Sequence, residues 1–526
     1  MTRTASELGA GLAPARPARP IRPGERIHVL GIAGAGASAA AIHAKSQGAI
    51  VTGCDPGGPS PYTPALSAAR IPIEWNHNAA HVGVKPPPDR LAVTKALTAI
   101  NPDHPELLAA VAAGIPVEPW QQLVADAAHG RTLLAVAGTH GKSTTAGWLT
   151  WILAEIGQDP SAFVGALLPA ALSNGLPGTA RIGAGPAFVV EADEYAGNFD
   201  PYSPDVALLT TVEWDHPDVF EDLAAVTEAF RAWLERAQPR AKIVANLGDR
   251  GVVELLETLQ GSSARSGSVV GVTVDGLAGG AAIGFARRGA TAADAGASDL
   301  WIDDRLSGRV VDRTPGGTVV ELDGFGATGQ VVRLPTVGDH NASNALLALA
   351  AAWDQAGRGG SVDRLLLALS SFPGIGRRLE RKGEARGVVV YDDYGHHPTA
   401  IRATLAAIRE REPGRRVWAV YEPLTYHRTA AMLDAFADAL AEADAVAVAD
   451  IWASRDPDTS ITSAEALATA ARKRRRGLTS MAPGSVEETA AWLAREVREG
   501  DAVLVMGGGR SYRIAELLLV ALEADR

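Results

Sequence analysis

The chain of 526 residues has a single cysteine, Cys54, and therefore cannot form an internal disulfide. This composition fits neither a disulfide-stabilised secreted scaffold nor a zinc site built from cysteine clusters, and a cytoplasmic location is expected. Long apolar runs are also missing, because no stretch reaches the ~18 consecutive apolar residues of a membrane span. We therefore expect no insertion into a membrane.

The chain also lacks a net positive charge. It has 49 lysines and arginines against 60 aspartates and glutamates, which gives a formal net charge of -11. Such a chain offers no general positive field to a phosphate backbone, so nucleic acid is not expected as a partner, although a local pocket could hold nucleotide phosphates. The composition, 47% hydrophobic and 21% charged, is that of a globular protein.

Short apolar runs alternate with helical patterns, which predicts α/β domains with parallel sheets. At ~100–200 residues per domain, the length fits about three domains. We expect a flexible arm over residues 1–23, which lack the continuous apolar core of a signal peptide. Three domains then follow. The first is a Rossmann-like domain over residues 24–129, and the second is a central P-loop domain over residues 130–371. The third is a Rossmann-like domain of four strand–helix repeats over residues 372–526.

The first domain opens with a glycine-rich loop after the predicted strand Ile27–Ile32. Its glycines are Gly31, Gly34 and Gly36, spaced GxxGxG rather than GxGxxG, and Asp55 ends a second predicted strand. Dinucleotide folds often have a ribose-binding carboxylate there, roughly 20 residues after the glycine turn. The residues alone leave two interpretations open, a nucleotide site and a close packing of helix on strand. A dinucleotide-dependent oxidoreductase remains one alternative, although it leaves the next motif unexplained.

A second glycine loop carries the strongest chemical signal. The sequence GTHGKST, residues 138–144, follows the predicted strand Leu133–Ala137 directly and opens a predicted helix, with a spacing shorter than that of the common Walker loop. Closely spaced glycines let backbone NH groups surround a polyphosphate at a helix N-terminus, while a lysine adds charge and a hydroxyl can ligate Mg²⁺. The predicted phosphate-binding residues are Gly138, Thr139, Gly141, Lys142, Ser143 and Thr144.

Polar side chains stand directly after two further predicted strands, Ala187–Val190 and Val206–Thr211. A run of acidic residues begins at Glu191 after the first strand, and His216 follows the second. Carboxylates at the carboxyl end of a strand can hold Mg²⁺ beside phosphates, and His216 adds a second possible metal position. A solvated acidic turn is the competing explanation.

Three other polar features are candidates for function. Asn341 and Asn344 lie about one turn apart near the predicted helix Ala342–Gln355, and two amides can recognise an adenine edge, but the pattern alone favours helix capping by Asn341. Arg378, near the boundary of the second and third domains, could reach a transferring phosphoryl group or form an ordinary interdomain ion pair. The polar cluster 392–398 ends the first strand of the third domain, and we favour a functional role for it.

Together these motifs resemble those of the Mur ligases, cytoplasmic enzymes that build the peptide of bacterial cell-wall precursors. The likeness runs in order from Ile27 to the C-terminus, and its marks are GIAGAGAS (31–38), AGTHGKSTT (137–145), EADE (191–194), WDH (214–216), HNASNA (340–345), GRRLE (376–380) and DDYGHHP (392–398). The resemblance implies an ATP- and Mg²⁺-dependent amide ligase with a UDP-sugar domain, an ATPase domain and a C-terminal domain that helps to bind the incoming amine.

The resemblance also implies a role for each matching position. The positions that match the family's catalytic residues are Lys142, His216, Arg378 and His396. The residues expected to bind metal are Ser143, Glu191 and His216. Further contacts to the nucleotide are expected from Asn341, Asn344, Arg378 and Asp393. The residues expected to contact the substrates are Gly31, Gly34, Gly36, Asp55, His396, Tyr426 and Arg428.

Two amine substrates are consistent with the resemblance. The leading interpretation joins L-alanine to UDP-N-acetylmuramate, and the alternative joins a murein tripeptide to the same nucleotide sugar in cell-wall recycling. Leu424 and Thr425 replace a His-Arg pair expected in the alanine-adding enzymes, whereas the run 450–455 again resembles those enzymes. A catalytically silent sensor is disfavoured, because Lys142 and Glu191 are both present.

Overall fold

The computed structural model describes residues 3–260, 267–275, 285–287, 300–357, 361–453, 456 and 458–524. These residues form three α/β domains, each built on its own main sheet, which confirms the predicted fold class. Within the described ranges, no helix combines the length and the apolar character needed to cross a membrane.

The first domain is a parallel five-stranded sheet with helices on both faces. Its elements are α1 (Ala5–Leu8), β1 (Arg26–Leu30), α2 (Ala35–Ser46), β2 (Ile50–Cys54), α3 (Thr63–Ala68), β3 (Ile73–Glu74), a 3₁₀ turn (Ala79–His81), β4 (Arg90–Val93), α4 (Lys95–Ile100), α5 (Pro105–Ala112), β5 (Val117–Pro119) and α6 (Trp120–Ala127). The strand order β3-β2-β1-β4-β5 is Rossmann-like. Helices α2 and α6 cover one face of the sheet and α5 the other.

The second domain is built on a ten-stranded mixed sheet. Its elements are β6 (Thr132–Ala137), α7 (Lys142–Glu155), β7 (Ser161–Leu168), β8 (Gly178–Arg181), β9 (Ala187–Ala192), a 3₁₀ turn (Tyr195–Gly197), β10 (Val206–Leu209), α8 (Leu223–Glu235), β11 (Lys242–Asn246), α9 (Arg250–Gln260), β12 (Val269–Asp275), β13 (Phe285–Arg287), β14 (Leu300–Ile302), β15 (Asp304–Thr314), β16 (Gly317–Asp323), β17 (Val331–Leu334), α10 (Asp339–Ala356) and α11 (Val362–Ser370). The order is β17-β16-β15-β12-β11-β10-β6-β9-β7-β8, and β13 pairs with β14 separately. Because β6 runs parallel to both β9 and β10, the loops after these three strands meet at one edge of the sheet.

The third domain is a six-stranded sheet between two layers of helices. Its elements are β18 (Glu380–Ala385), β19 (Val388–Asp393), α12 (Pro398–Arg411), β20 (Arg416–Glu422), α13 (Tyr426–Ala431), α14 (Leu433–Leu440), β21 (Ala445–Ala449), α15 (Ala464–Arg474), β22 (Thr479–Gly484), α16 (Val486–Glu496), β23 (Asp501–Gly507) and α17 (Tyr512–Ala524). The order is β18-β19-β23-β20-β21-β22, and only β18 pairs antiparallel within the described sheet. The domain thus has one parallel strand, β22, more than the four predicted repeats.

The segment before β1, for which the sequence predicts a flexible arm, makes defined contacts in the structure. Leu8 is fully buried, and the backbone NH of Arg3 donates to the carbonyl of Asp218 at 2.8 Å. Arg16 pairs with Glu118 and Asp126, which lie 102 and 110 residues further along the chain. Because these partners are so distant in the chain, the composition of residues 1–23 could not indicate the contacts.

A buried ion network joins this segment to the first domain. Arg90, at the start of β4, is 2% exposed and contacts Glu25 Oε1 at 3.1 Å, Glu118 Oε2 at 2.9 Å and Asp126 Oδ2 at 2.5 Å. Arg16 shares the last two carboxylates. Buried charges are costly unless they are paired, so each carboxylate here depends on the guanidinium groups. The network ties β4 to β5, α6 and the chain that enters β1.

Replacement of Arg90 by methionine should destabilise the protein. The variant Arg90→Met is expected to lower the free energy of the first unfolding transition by about 3 kcal/mol, because buried carboxylates lose their partner while most of the side-chain volume is kept. Urea unfolding followed by circular dichroism measures this loss. The control Arg250→Ala removes an exposed arginine paired with Glu254 and should leave the transition unchanged. If both variants unfolded with the same free energy, the stabilising role of Arg90 would be contradicted.

Candidate active site

The loop between β6 and α7 forms the base of the site. Its Gly138 and Gly141 have φ angles of 140° and 79°, which glycine adopts without steric cost. A Cβ at Gly138 would lie 2.1 Å from Thr210 Oγ1, and one at Gly141 would lie 2.4 Å from Asn344 Oδ1. Only glycine therefore lets the loop pass between the end of β10 and α10. Helix α7 begins at Lys142, and its first NH groups have no partner inside the helix.

The ammonium group of Lys142 is held by two carboxylates that follow β9. Its Nζ lies 2.9 Å from Glu194 Oε2 and 3.4 Å from Asp193 Oδ1. Burial alone would lower the pKa of Lys142, but attraction to Glu194 and Asp193 outweighs it and raises that pKa above its ordinary value. Burial raises the pKa of Glu194 to about 7, although Lys142 opposes the shift. The loop thus keeps a positive charge at the N-terminus of α7.

Two predicted residues from distant parts of the chain, Glu191 and Arg378, contact Ser143. Its Oγ donates to Glu191 Oε1 at 2.9 Å and accepts from Arg378 Nη2 at 2.7 Å. The other oxygen of Glu191 accepts from the backbone NH of Gly165 at 2.6 Å. The Arg378 guanidinium also lies 5.0 Å from the centre of the Tyr394 ring. The structure therefore brings the predicted hydroxyl, carboxylate and arginine together beside the phosphate loop.

His216 lies after β10 and is oriented from the third domain. Its backbone has a left-handed φ of 55°, and its Nδ1 accepts from Arg428 Nη2 at 3.0 Å. Arg428 also pairs with Asp215 Oδ1 at 2.7 Å, and although burial would raise the pKa of Asp215, the charge of Arg428 holds it well below its ordinary value. Ligand atoms of Asp193, Glu194 and His216 lie within 4.8 Å of one another. His216 thus lies beside these two carboxylates.

Asp393, the last residue of β19, and His396, which follows this strand, also line the site. His396 Nδ1 lies 2.9 Å from the carbonyl oxygen of Tyr394, and burial holds the pKa of His396 well below its ordinary value, so the ring is neutral. The carboxylate of Asp393 accepts backbone NH groups of Leu379 and Gly395, each at 2.7 Å. Asp393 therefore fixes the segments that carry the predicted arginine and histidine.

Asn341 and Asn344 lie in the first turns of α10, next to α7. The helix begins at Asp339, two residues before Asn341, so the helix-capping interpretation of Asn341 is wrong. Asn344 Oδ1 accepts from Thr145 Oγ1 at 3.2 Å, which links the two helices. Both amides line the space above the phosphate loop.

A cavity of about 710 Å³ joins these groups, a size that suits a small-molecule ligand. The predicted residues in its wall are Gly36, Thr139, Gly141, Lys142, Ser143, Thr144, Glu191, His216, Asn341, Asn344, Arg378, Asp393 and His396. Trp120 and Phe163, in edge-to-face contact with ring centres 5.2 Å apart, also line it. Sequence reasoning missed both aromatics, because each lies in an ordinary apolar pattern.

Six predicted residues lie outside the cavity wall: Gly31, Gly34, Gly138, Asp55, Tyr426 and Arg428. Asp55 Oδ2 accepts the backbone NH of Ala33 at 3.1 Å, so this carboxylate shapes the glycine loop. Arg428 acts on the site through Asp215 and His216. In the run 450–455 used to compare amine substrates, residues 454 and 455 lie outside the described residues, whereas Leu424 lines the cavity.

A polar contact that sequence reasoning missed joins the second domain to the third. Thr399 Oγ1 donates to Glu213 Oε2 at 2.7 Å, and His397 Nε2 lies 3.2 Å from the carbonyl oxygen of Trp214. His140 of the phosphate loop lies 3.5 Å from the same Glu213 oxygen. Burial would raise the pKa of Glu213, but interaction with His140 and Thr399 lowers it to about 2. The phosphate loop therefore contacts the interface between the second and third domains.

Comparison with known proteins gives a consistent result. Three family profiles match in order: "Mur ligase family, catalytic domain" over residues 26–132, "Mur ligase middle domain" over 136–352 and "Mur ligase, glutamate ligase domain" over 377–509. The UDP-N-acetylmuramate–L-alanine ligase of Frankia casuarinae is 34% identical, covering 95% of this chain and 98% of its own. That of a Roseiflexus species is 37% identical, covering 94% and 98%.

Solved structures with the same fold include two of particular interest. The UDP-N-acetylmuramate-alanine ligase of Thermotoga maritima has a TM-score of 0.72 at 22% identity, covering 95% of this chain and 100% of that one. A murein peptide ligase of Psychrobacter arcticus has a TM-score of 0.67 at 25% identity, covering 95% and 99%. The three-domain architecture is thus shared with both.

A methyl group at Gly141 should disrupt the phosphate loop. Gly141→Ala is expected to weaken nucleotide binding by at least about tenfold, because the added Cβ would lie 2.4 Å from Asn344 Oδ1 on a backbone with φ of 79°. Calorimetric titration with a non-hydrolysable ATP analogue measures the affinity. Gly157→Ala, beyond the other end of α7, is the matched control: its φ is 85°, and the added Cβ would meet no described atom within 4 Å. Wild-type affinity in Gly141→Ala would refute the prediction.

Proposed function

Because the chain belongs to the Mur ligase family, we propose that it is the ATP-dependent ligase that joins L-alanine to UDP-N-acetylmuramate in peptidoglycan precursor synthesis. The observation that carries the proposal is the meeting of Lys142, Arg378 and His396 around one cavity that Gly36 of the first domain also lines. Curated relatives named for this activity, 34–38% identical, support the choice of alanine.

The proposed reaction has two steps. The lactyl carboxylate of UDP-N-acetylmuramate attacks the γ-phosphorus of ATP, so that an acyl phosphate forms and ADP leaves. The amine of alanine then adds to the acyl carbon, and the tetrahedral intermediate loses phosphate and a proton to give the amide. Activation is needed because oxide is a poor leaving group, whereas phosphate is a good one. Closure of the third domain would keep water from the acyl phosphate.

Lys142 and Arg378 would stabilise the charge that moves in the first step. Lys142 sits at the N-terminus of α7, where the helix NH groups also favour an anion. Arg378 reaches Ser143 Oγ from the domain junction and would approach the same phosphoryl group from the other side. Glu194 would hold the Lys142 ammonium until the nucleotide phosphates take over its contact.

The remaining predicted residues would orient the reactants. Asn341 and Asn344 would contact adenine, since both amides line the cavity beside the phosphate loop. The glycine loop at the N-terminus of α2, shaped by Asp55, would bind the UDP pyrophosphate. His396 is neutral and would lie near the acyl group, where it could take a proton from the attacking amine. Tyr426 and Arg428 would act on the amine side.

Mg²⁺ is part of the proposal, and the donors fit a hard cation. Ser143 Oγ and the Glu191 carboxylate lie 2.9 Å apart beside the phosphate loop, and oxygens are the ligands that Mg²⁺ prefers. A second position would use His216 with Asp193 and Glu194. When bound, Mg²⁺ neutralises charge on the phosphates.

A murein tripeptide is the second candidate amine. The structure of a murein peptide ligase that is 25% identical over 95% of this chain supports it. Leu424 also favours it, because this apolar side chain lines the cavity where the resemblance to alanine-adding enzymes leads one to expect a polar pair. The replaced arginine would help to bind the carboxylate of alanine, so its loss weakens the case for alanine.

Paired amine assays decide between the two candidates. With ATP, Mg²⁺ and UDP-N-acetylmuramate, L-alanine is expected to drive ADP release faster than the tripeptide does, and the nucleotide sugar should gain the mass of one alanyl residue. A coupled ADP assay and mass spectrometry measure the two quantities, with reactions lacking the nucleotide sugar as blanks. ADP release with the tripeptide alone would overturn the choice of alanine. No ADP release with either amine would overturn the ligase assignment.

Loss of the Lys142 ammonium should abolish turnover and spare sugar binding. Lys142→Ala is expected to lower kcat by at least about 100-fold, because a charge aimed at the transferring phosphoryl is removed. The Kd for UDP-N-acetylmuramate should stay near the wild-type value, since the glycine loop lies in another domain. Lys242→Ala, which removes a lysine paired with Asp354 at the amino end of β11, is the control. Unchanged turnover in Lys142→Ala would contradict the phosphate role.

A further inference from the structure

A cluster of histidine, cysteine and glutamate side chains lies inside the first domain, outside the wall of the active-site cavity. Glu106, on α5, is fully buried at its centre. His28 and Cys54, which are 2% and 0% exposed, belong to the neighbouring strands β1 and β2. His81 ends the 3₁₀ turn after β3. Four separate elements therefore contribute to one cluster between the sheet and α5.

The potential ligand atoms converge on the Glu106 carboxylate. His28 Nε2 lies 3.3 Å from Oε2, His81 Nδ1 lies 3.4 Å from Oε1, and Cys54 Sγ lies 3.3 Å from Oε1. One ligand atom from each of the four residues lies within 4.8 Å of those from the other three. Around tetrahedral zinc, with bonds of about 2.0–2.3 Å, neighbouring ligand atoms are about 3.3–3.8 Å apart. The contacts of His81 and Cys54 with Oε1 thus have the length of edges of a coordination tetrahedron, and His28 approaches the other oxygen of the same carboxylate.

Two of these nitrogens lack the hydrogen bonds that buried polar atoms normally make. His28 Nε2 and His81 Nδ1 are both buried, and no described atom forms a hydrogen bond of good geometry with either. The other nitrogen of His28 is engaged by Thr52 Oγ1 at 2.8 Å, which orients Nε2 toward Glu106. Metal-bound histidines usually have their second nitrogen anchored in this way. A cation in the cluster would satisfy both unpaired nitrogens.

We propose that His28, Cys54, His81 and Glu106 bind a divalent transition-metal ion of the zinc type. Two neutral imidazoles, a thiolate and a carboxylate balance the charge of a dication, so the occupied site would be neutral, as burial requires. The Cys54 thiol releases its proton to solvent as the sulfur–metal bond forms. Nitrogen and sulfur ligands select such an ion over Mg²⁺.

The metal would act as a structural link in the UDP-sugar domain. It would fasten α5 and the turn after β3 to the paired strands β1 and β2, adding to the apolar contacts there and to the hydrogen bond from the Asn78 NH to Glu106 Oε1. Cys54 directly precedes Asp55, whose carboxylate holds the glycine loop at Ala33. A bond at Cys54 would therefore stiffen the end of β2 beside the proposed sugar site. This inference does not depend on the identity of the amine substrate.

Cobalt substitution provides a specific test, because Cys54 is the only cysteine in the chain. A thiolate-to-cobalt charge-transfer band in the near ultraviolet can therefore arise only at this cluster. Full-length, metal-free protein titrated with Co²⁺ in saturating Mg²⁺ is expected to develop that band, together with strong visible absorption of tetrahedral Co²⁺, at one equivalent. Added Zn²⁺ should abolish both signals.

Variants that keep the thiol identify the other ligands. Glu106→Gln and His81→Ala are each expected to weaken Co²⁺ binding at least about tenfold. His81→Ala removes a partly exposed ring and serves as the test should Glu106→Gln fail to fold, as judged by circular dichroism. His129→Ala, which removes an exposed histidine elsewhere in the domain, is the matched control and should bind as the wild type does.

His77 is the competing ligand, since its Nδ1 lies 3.2 Å from Cys54 Sγ and 3.4 Å from Glu106 Oε1. His77→Ala should retain the cobalt spectrum if the proposed set is right. Loss of the spectrum in His77→Ala with its retention in His81→Ala would overturn the ligand set. Absence of the charge-transfer band in wild-type protein with excess Co²⁺ would overturn the metal site itself.

Discussion

The positive charge of Lys142 depends on the two carboxylates that approach it from the end of the neighbouring strand β9. Burial would otherwise favour the neutral amine, and a neutral amine could not stabilise a transferring phosphoryl group. The parallel register of the sheet makes the contact possible, because Ala137 at the end of β6 pairs with Ala192 of β9 on one side and with Leu209 of β10 on the other. The loops that follow these strands must then meet around Lys142, and the rest of the site is arranged about that point.

The active site is complete only where the domains touch. Arg378 reaches Ser143 from the third-domain side, Arg428 pairs with Asp215, and Thr399 bonds Glu213. Each contact joins a residue beside the phosphate loop to one beyond the domain boundary. A chain that has to bring a nucleotide, a nucleotide sugar and an amine together benefits from this division, since each domain can bind one reactant and closure can exclude water. The metal ion proposed in the first domain would stiffen the strand end beside its reactant-binding loop.

Features formed by neighbouring residues could be predicted from the sequence, whereas contacts between residues far apart in the chain could not. The strand–glycine–helix order around Lys142 is continuous in the chain, so the phosphate loop could be predicted without knowledge of the fold. The contact of Arg378 with Ser143 spans 235 residues, and the residues alone left the role of Arg378 open between a phosphoryl contact and an ordinary interdomain ion pair. Strand β22 escaped prediction because TSMAPG combines polar residues with proline and glycine. Glu106 and His28 are unremarkable in sequence, and only the packing of α5 on the sheet brings them together.

Oxygen transfer tests the acyl phosphate most directly. UDP-N-acetylmuramate labelled with ¹⁸O in its lactyl carboxylate would be incubated with the enzyme, ATP and L-alanine, and the released phosphate would be analysed by mass spectrometry. The account predicts one ¹⁸O atom in each phosphate, because the carboxylate oxygen that attacks the γ-phosphorus leaves with it when the amine displaces it. Unlabelled phosphate accompanying full amide formation would contradict the mechanism.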